Sequence, residues 1–128
     1  MDPSVWGPPL WRKMHMKTFN YPENPTQKDK VNIIKYFNNI ANVLPCEKCR
    51  KHYIRELMLN PVADHVHSKR AVIKWLIDFH NKVNRRLGKK VLTYKEVYAI
   101  YETPYDNSAL FATTIFCTAM LVLLGCKR

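Results

Sequence analysis

Residues 68–90 read SKRAVIKWLIDFHNKVNRRLGKK, and their periodicity decides the fold class. Val72, Trp75, Leu76, Phe79, Val83 and Leu87 recur three and four apart, the spacing that lines one side of an α-helix. Ser68 is a good N-cap, and Gly88 follows as a C-terminal stop. The same period continues outward. Upstream, Thr26 can cap a helix with Val31, Ile34, Phe37, Ile40 and Leu44 on one side. Pro45 closes that helix and opens the next, which starts at or near Cys46 and runs to about Asn60, before Pro61. Nearer the start, Pro8 and Pro9 suit the first turn of a helix through Trp11, Met14 and His15 toward Phe19, and Tyr21 to Pro25 reads as a loop. Downstream, Thr93 and Glu96 form a capping box for a short helix from Tyr94 to about Glu102. With only three glycines, strands joined by tight turns are not expected. The expected fold is all-α: a four-helix bundle with a short fifth helix, in one domain over residues 1–104.

At 128 residues the chain suits one domain with a modest core, and 47% hydrophobic residues exclude a disordered polymer. The formal charge of +11 suggests anionic partners: nucleic acid, a membrane surface or a phosphate-bearing ligand. The positive residues are scattered and form no basic run, so a soluble surface that happens to be basic is the competing reading; of the anionic partners, nucleic acid is not expected. The first residues lack the apolar stretch of a secretory signal.

The composition changes after Pro104. Ala109 to Cys126 contains no charged residue, and eighteen helical residues span roughly 27 Å, close to the bilayer core. Residues 105–128 are therefore expected to be a C-terminal apolar tail, a candidate transmembrane helix anchoring the protein in a single pass. Thr113, Thr114 and Thr118 support the competing reading, a helix buried against the domain or a dimer partner. All 10 acids and 19 of the 21 basic residues precede residue 108, so positive-inside reasoning puts the domain on the cytoplasmic side.

Three segments carry chemistry. Cys46-Glu47-Lys48-Cys49 sets two cysteines on a first helical turn, where unpaired N–H groups and Lys48, Arg50 and Lys51 favour a thiolate. That is a redox pair; an inert buried pair is the bland reading. A zinc site of Cys46, Cys49, His52 and His80 is the chemical rival and would make the chain a basic binding module without activity. A thioredoxin-like fold lacks its β-α-β pattern here. In the second segment His80 and Asn84 share a helical face beside Asn81, with Lys89 and Lys90 placed to meet a pyrophosphate. Third, Trp6, Gly7, Trp11 and His15 place Trp11 and His15 four apart, to stack on one face against a flat ring system. Solvated lysines and an ordinary aromatic core are the alternatives for these two segments.

Together the segments resemble the Erv/ALR family of FAD-linked sulfhydryl oxidases over roughly residues 3–103. The family pattern W-G-x-x-x-W-x-x-x-H, C-x-x-C and H-N-x-V-N-x-x-L-G-K is met by Trp6, Gly7, Trp11 and His15, by Cys46 and Cys49, and by His80, Asn81, Val83, Asn84, Leu87, Gly88 and Lys89. The compact length, and His52 after the cysteine pair, are most similar to short members carried by large DNA viruses. The resemblance implies a thiol oxidase that forms disulfides and reduces oxygen to hydrogen peroxide. It also implies noncovalent FAD at the bundle mouth and a homodimer built on the first two helices. Protein thiols would be the substrates, directly or through a thioredoxin-like relay, in a host cell or a virion. Trp6, Gly7, Trp11, His15, His80, Asn81, Val83, Asn84, Gly88, Lys89 and Lys90 would serve the FAD site. Tyr101 stands where many members have a tryptophan against the adenine. Cys46 would exchange with substrate and Cys49 would face the flavin.

Two departures stand out. Many members brace this region with a disulfide, where the chain offers Ile77 or Asp78 and Tyr94. Many also carry a shuttle cysteine pair, for which only Cys117 and Cys126 are candidates. On one straight helix those two would lie about 13 Å apart, too far to bond, so no internal shuttle is expected.

Overall fold

The computed structural model describes residues 2–102. They form helices α1 (Pro3–Phe19), α2 (Gln27–Val43), α3 (Glu47–Leu59), α4 (Lys69–Arg86) and α5 (Tyr94–Tyr101), with a 3-10 turn at Val62–His65 between α3 and α4. The caps expected from the sequence form. Thr26 and Asp29 make a reciprocal capping box on α2, and Thr93 and Glu96 make another on α5. Ser68 accepts the Ala71 N–H at the start of α4. Gly88 ends α4 with φ 71°, a left-handed conformation that favours glycine.

Helix α1 begins five residues before Pro8, at Pro3, because Asp2 accepts the Ser4 N–H and caps it there. Pro8 and Pro9 consequently lie inside the helix. On α2 the apolar side is centred on Ile33, Phe37, Ile40 and Ala41, while Val31 is exposed. Leu87 follows α4 as its C-cap and is also exposed.

Helix α4 is the spine. Val72, Trp75, Leu76 and Phe79 face one cluster with Met14, Phe37, Ile40, Leu44 and Tyr53. Ile73 and Ile77 face a second, smaller cluster with Phe19 and Val97 that seats α5. The rings of Phe37 and Trp75 meet edge to face at 5.0 Å, an arrangement favoured by the aromatic quadrupole. Where the resemblance placed a disulfide brace, Tyr94 donates its hydroxyl to Asp78 at 2.5 Å, and Lys74 donates to the other Asp78 oxygen at 3.0 Å. This polar clasp ties the start of α5 to α4.

The all-α class and the four helices with a short fifth match the expectation; the membrane-spanning helix is corrected. Among the described residues no helix is long and apolar enough to cross a membrane. The tail at 105–128, with Cys117 and Cys126, lies outside them. The inference had rested on apolar composition over eighteen residues, a length at the lower limit of a span and interrupted by three threonines. The positive-inside argument for a cytoplasmic domain depended on that span and loses its premise.

Candidate functional site

Three helices deliver the singled-out residues to one place. A cavity of about 870 Å³ opens between the starts of α1 and α3 and the end of α4, within the usual size of a cofactor pocket. Trp6, Gly7 and Trp11 line it from α1, Cys46 and Cys49 from the start of α3, and His80, Val83 and Asn84 from α4. Lys89, Lys90 and Tyr101 complete the set. The rest stand behind the wall. His15 is buried beneath His80. Asn81 clamps the backbone of Leu92, donating to its carbonyl at 2.7 Å and accepting its N–H at 3.0 Å. Gly88 makes the turn that brings Lys89 round.

The stacking differs from the expected pattern. Trp11 and His15 are tilted, with ring centroids 6.2 Å apart. Instead Trp11 stacks across the helix interface on His80, with centroids at 3.7 Å and planes 5° apart. His15 stacks on Tyr101 at 5.1 Å. The two imidazoles are joined by a hydrogen bond, His15 Nε2 to His80 Nδ1 at 2.9 Å. Burial pushes His15 down to about 4. Burial, then the charges of His15 and Lys89, push His80 down to about 3. Both rings are therefore neutral near pH 7, one nitrogen of the facing pair carrying the hydrogen and the other accepting it.

At the other end Cys46 is the N-cap of α3, its sulfur accepting the Cys49 N–H at 3.1 Å. The two sulfurs lie 2.6 Å apart as free thiols. Hydrogen bonds from the Cys49 thiol and N–H, and from the Lys48 N–H, hold Cys46 below its ordinary value. Burial and the neighbouring Cys46 push Cys49 up, with the Arg86 charge acting in the opposite sense. Arg50 fixes this turn: its guanidinium donates to the carbonyls of Ala41 (3.2 Å) and Leu44 (3.0 Å), two of those left free at the end of α2. No cluster of three or more His, Cys, Asp or Glu side chains suited to a metal occurs among the described residues, so His52 and His80 do not join the cysteines as ligands.

Sequence reasoning missed Arg12, Arg86 and His52 as cavity residues. Spacing could have found two of them: His52 lies three residues after Cys49, and Arg86 three after Val83, each on a wall already identified.

Observations on the chain itself test whether FAD suits this cavity. The walls are aromatic and apolar, with Trp6, Trp11, Phe79 and Tyr101 among the lining residues. Arg12, Lys89 and Lys90 line it, and no acidic residue does among the described residues, which suits a pyrophosphate. A Cβ on Gly7 would meet nothing within 4 Å, so packing within the described chain does not require glycine there. The indole N–H of Trp6, buried, has no partner among the described residues. A flat, phosphate-bearing cofactor fits these residues.

Comparison with known proteins agrees. Residues 8–102 match the model of the Erv1/Alr family. The chain is 44% identical over 113 residues to a protein of Acanthamoeba polyphaga mimivirus named "Probable FAD-linked sulfhydryl oxidase R368", covering 85% of this chain and 79% of that one. It is 33% identical over 111 residues to an African swine fever virus protein named FAD-linked sulfhydryl oxidase, covering 87% and 92%. Its fold is similar to the crystal structure of the FAD binding domain of Erv1 from Saccharomyces cerevisiae, with a TM-score of 0.76 and 25% identity over 83% of this chain and 99% of that one.

Proposed function

The chain belongs to the Erv1/Alr family, and on that premise we infer how its residues work as an FAD-dependent thiol oxidase that makes disulfides in protein substrates. The carrying observation is that Cys46 and Cys49 share one cavity with Trp11, His80 and Asn84. Trp6, Trp11, His80 and Tyr101 would hold the flat rings of FAD, Val83 and Asn84 would close the wall, and Lys89 and Lys90 would take its pyrophosphate. Gly7 leaves room for it. His15 keeps the His80 ring in place by their hydrogen bond, and Asn81 and Gly88 shape the Leu87–Leu92 turn. When bound, FAD supplies the acceptor for an electron pair and its route to oxygen, which leaves as hydrogen peroxide.

The cysteines do the exchange. A substrate thiolate attacks Cys46 Sγ of the oxidised pair; the substrate–Cys46 bond forms, the Cys46–Cys49 bond breaks, and Cys49 leaves as a thiolate carrying the electron pair. A second substrate thiolate then attacks the substrate's own sulfur, closing its disulfide and releasing Cys46 as a thiolate. The assignment follows the environments. Cys46, at the helix N-terminus and less buried than Cys49, is the sulfur a substrate thiolate can reach, and its low thiol makes it the better leaving group of the second exchange, in which it is released. Cys49 is the one raised by burial.

Exposed Met16 on α1 and Val31 on α2 support a homodimer through those helices. The likeness to viral oxidases supports an infected cell or virion as the place of action.

The test is direct. Purified protein is expected to be yellow and to consume oxygen with dithiothreitol, releasing one peroxide per disulfide formed. A colourless protein that leaves oxygen untouched when FAD and dithiothreitol are supplied would overturn the reading.

A further inference from the structure

The cavity carries more positive charge than its cofactor can neutralise. Arg12, Lys48, Arg86, Lys89 and Lys90 line it, against no aspartate or glutamate among the described residues, whereas a pyrophosphate brings about two negative charges. The five cations fall into two groups. Lys89 acts on His80, Arg12 acts on Tyr101, and Lys90 reaches Glu96 at 3.5 Å, so these three sit at the histidine end. Arg86 acts on both Cys49 and His52, and Lys48, set between the two cysteines in sequence, also acts on His52. Both Lys48 and Arg86 are exposed, and neither forms an ion pair among the described residues. The nearby acids point elsewhere: Glu47 reaches Lys51 at 3.9 Å and Glu56 pairs with Lys82 at 3.1 Å.

We propose that Lys48 and Arg86 are specificity-determining residues that select substrate thiols set in acidic protein segments. The proposal rests on the oxidase reading and deepens it by naming the substrate class. Its physical basis is a balance of charge. Acidic neighbours disfavour the thiolate of a substrate cysteine, and in free solution they slow its attack. Docked against Lys48 and Arg86, the acidic side chains are neutralised and the thiolate is favoured beside Cys46. A protein segment fits better than nucleic acid, since the cations flank two sulfurs at a cleft rather than track along a groove.

The experiment uses the FAD-loaded full chain and three dithiol peptides, identical except that glutamate, glutamine or lysine flanks a Cys-x-x-Cys. At low salt kcat/KM is expected to favour the glutamate peptide over the lysine peptide by about tenfold or more, with the gap shrinking as salt rises. The charge-reversed pair K48E/R86E should invert that order. K48Q and R86Q alone should each narrow it, and they carry the test if the double variant does not fold or loses flavin. The ratio between peptides is read within each variant, so a change in basal turnover cancels. Wild type that oxidises dithiothreitol but ignores peptide charge overturns the proposal and leaves the oxidase reading standing. So does a glutamate preference that survives in K48Q and R86Q, or stronger competition by an oligonucleotide than by an acidic peptide lacking cysteine. Failure of wild type to oxidise dithiothreitol sinks the oxidase reading itself.

Discussion

At each end of the cavity a pair of like side chains lies within bonding distance, the cysteines lining it and His15 standing behind His80, and the pairs behave in opposite ways. His15 and His80 sit under the packed rings of Trp11 and Tyr101, and burial keeps both imidazoles neutral. Cys46 and Cys49 sit half-exposed at a helix start, where N–H groups push one thiol down while burial pushes the other up. One pair is suited to hold something flat and immobile. The other is split into a sulfur favoured as the thiolate and a deeper one held as the thiol. The difference lies in where each pair stands in the fold, since burial strips charge and a helix N-terminus favours an anion.

Removing either sulfur should break the contrast most severely. Cys46→Ser or Cys49→Ser should lower dithiol-driven oxygen uptake by about a thousandfold or more, because a lone cysteine cannot cycle as an internal disulfide. Acid should act on the other end. The folded values of His15 and His80, about 4 and about 3, lie below the ordinary 6.5, so the unfolded chain binds protons first as pH falls. Their contribution is complete above about pH 6.5 and is lost progressively below it. The denaturant midpoint should correspond to on the order of 2–4 kcal/mol less stability at about pH 5 than at about pH 7. His15→Gln with His80→Gln should flatten that dependence. His15→Ala alone, at neutral pH, removes a buried ring and strands His80 Nδ1; a loss of about 2–3 kcal/mol is expected by chemical unfolding. The smallest effect belongs to the clasp between α4 and α5. Tyr94→Phe should cost only about 0.5–1 kcal/mol, since the Tyr94–Asp78 hydrogen bond is exposed and screened. Replacing Ile77 and Tyr94 with cysteines tests whether the clasp stands where a disulfide brace fits.

Much of this was legible in the residues. Caps at Thr26, Ser68 and Thr93 are local chemistry, and periodicity named the inward face of α4, so four helices and a short fifth followed. The cysteine turn was equally local: Pro45 stops one helix and Cys46 caps the next. What stayed hidden depends on contacts between helices. Trp11 finds its stacking partner on α4 rather than one turn along α1, because the packing of α1 on α4 sets the approach of the two rings. Asn81 shares its neighbourhood with His80 and Asn84 in sequence but turns to the Leu92 backbone, since that unpaired N–H and carbonyl need partners. Arg12 and Arg86 look like solvated helix cations until the cavity beside them is seen. For the apolar stretch at 109–126, composition measures hydrophobicity and not whether a spanning helix forms, and that stretch lies outside the described residues.

The central claim is that electrons leave the substrate through Cys49 in the cavity that holds FAD. Anaerobic mixing of the FAD-loaded protein with dithiothreitol, followed by flavin absorbance, tests it most directly. Wild type should bleach, while Cys49→Ser should keep its flavin and stay yellow on the same timescale. Rapid bleaching of Cys49→Ser, with its FAD still bound, would contradict the account.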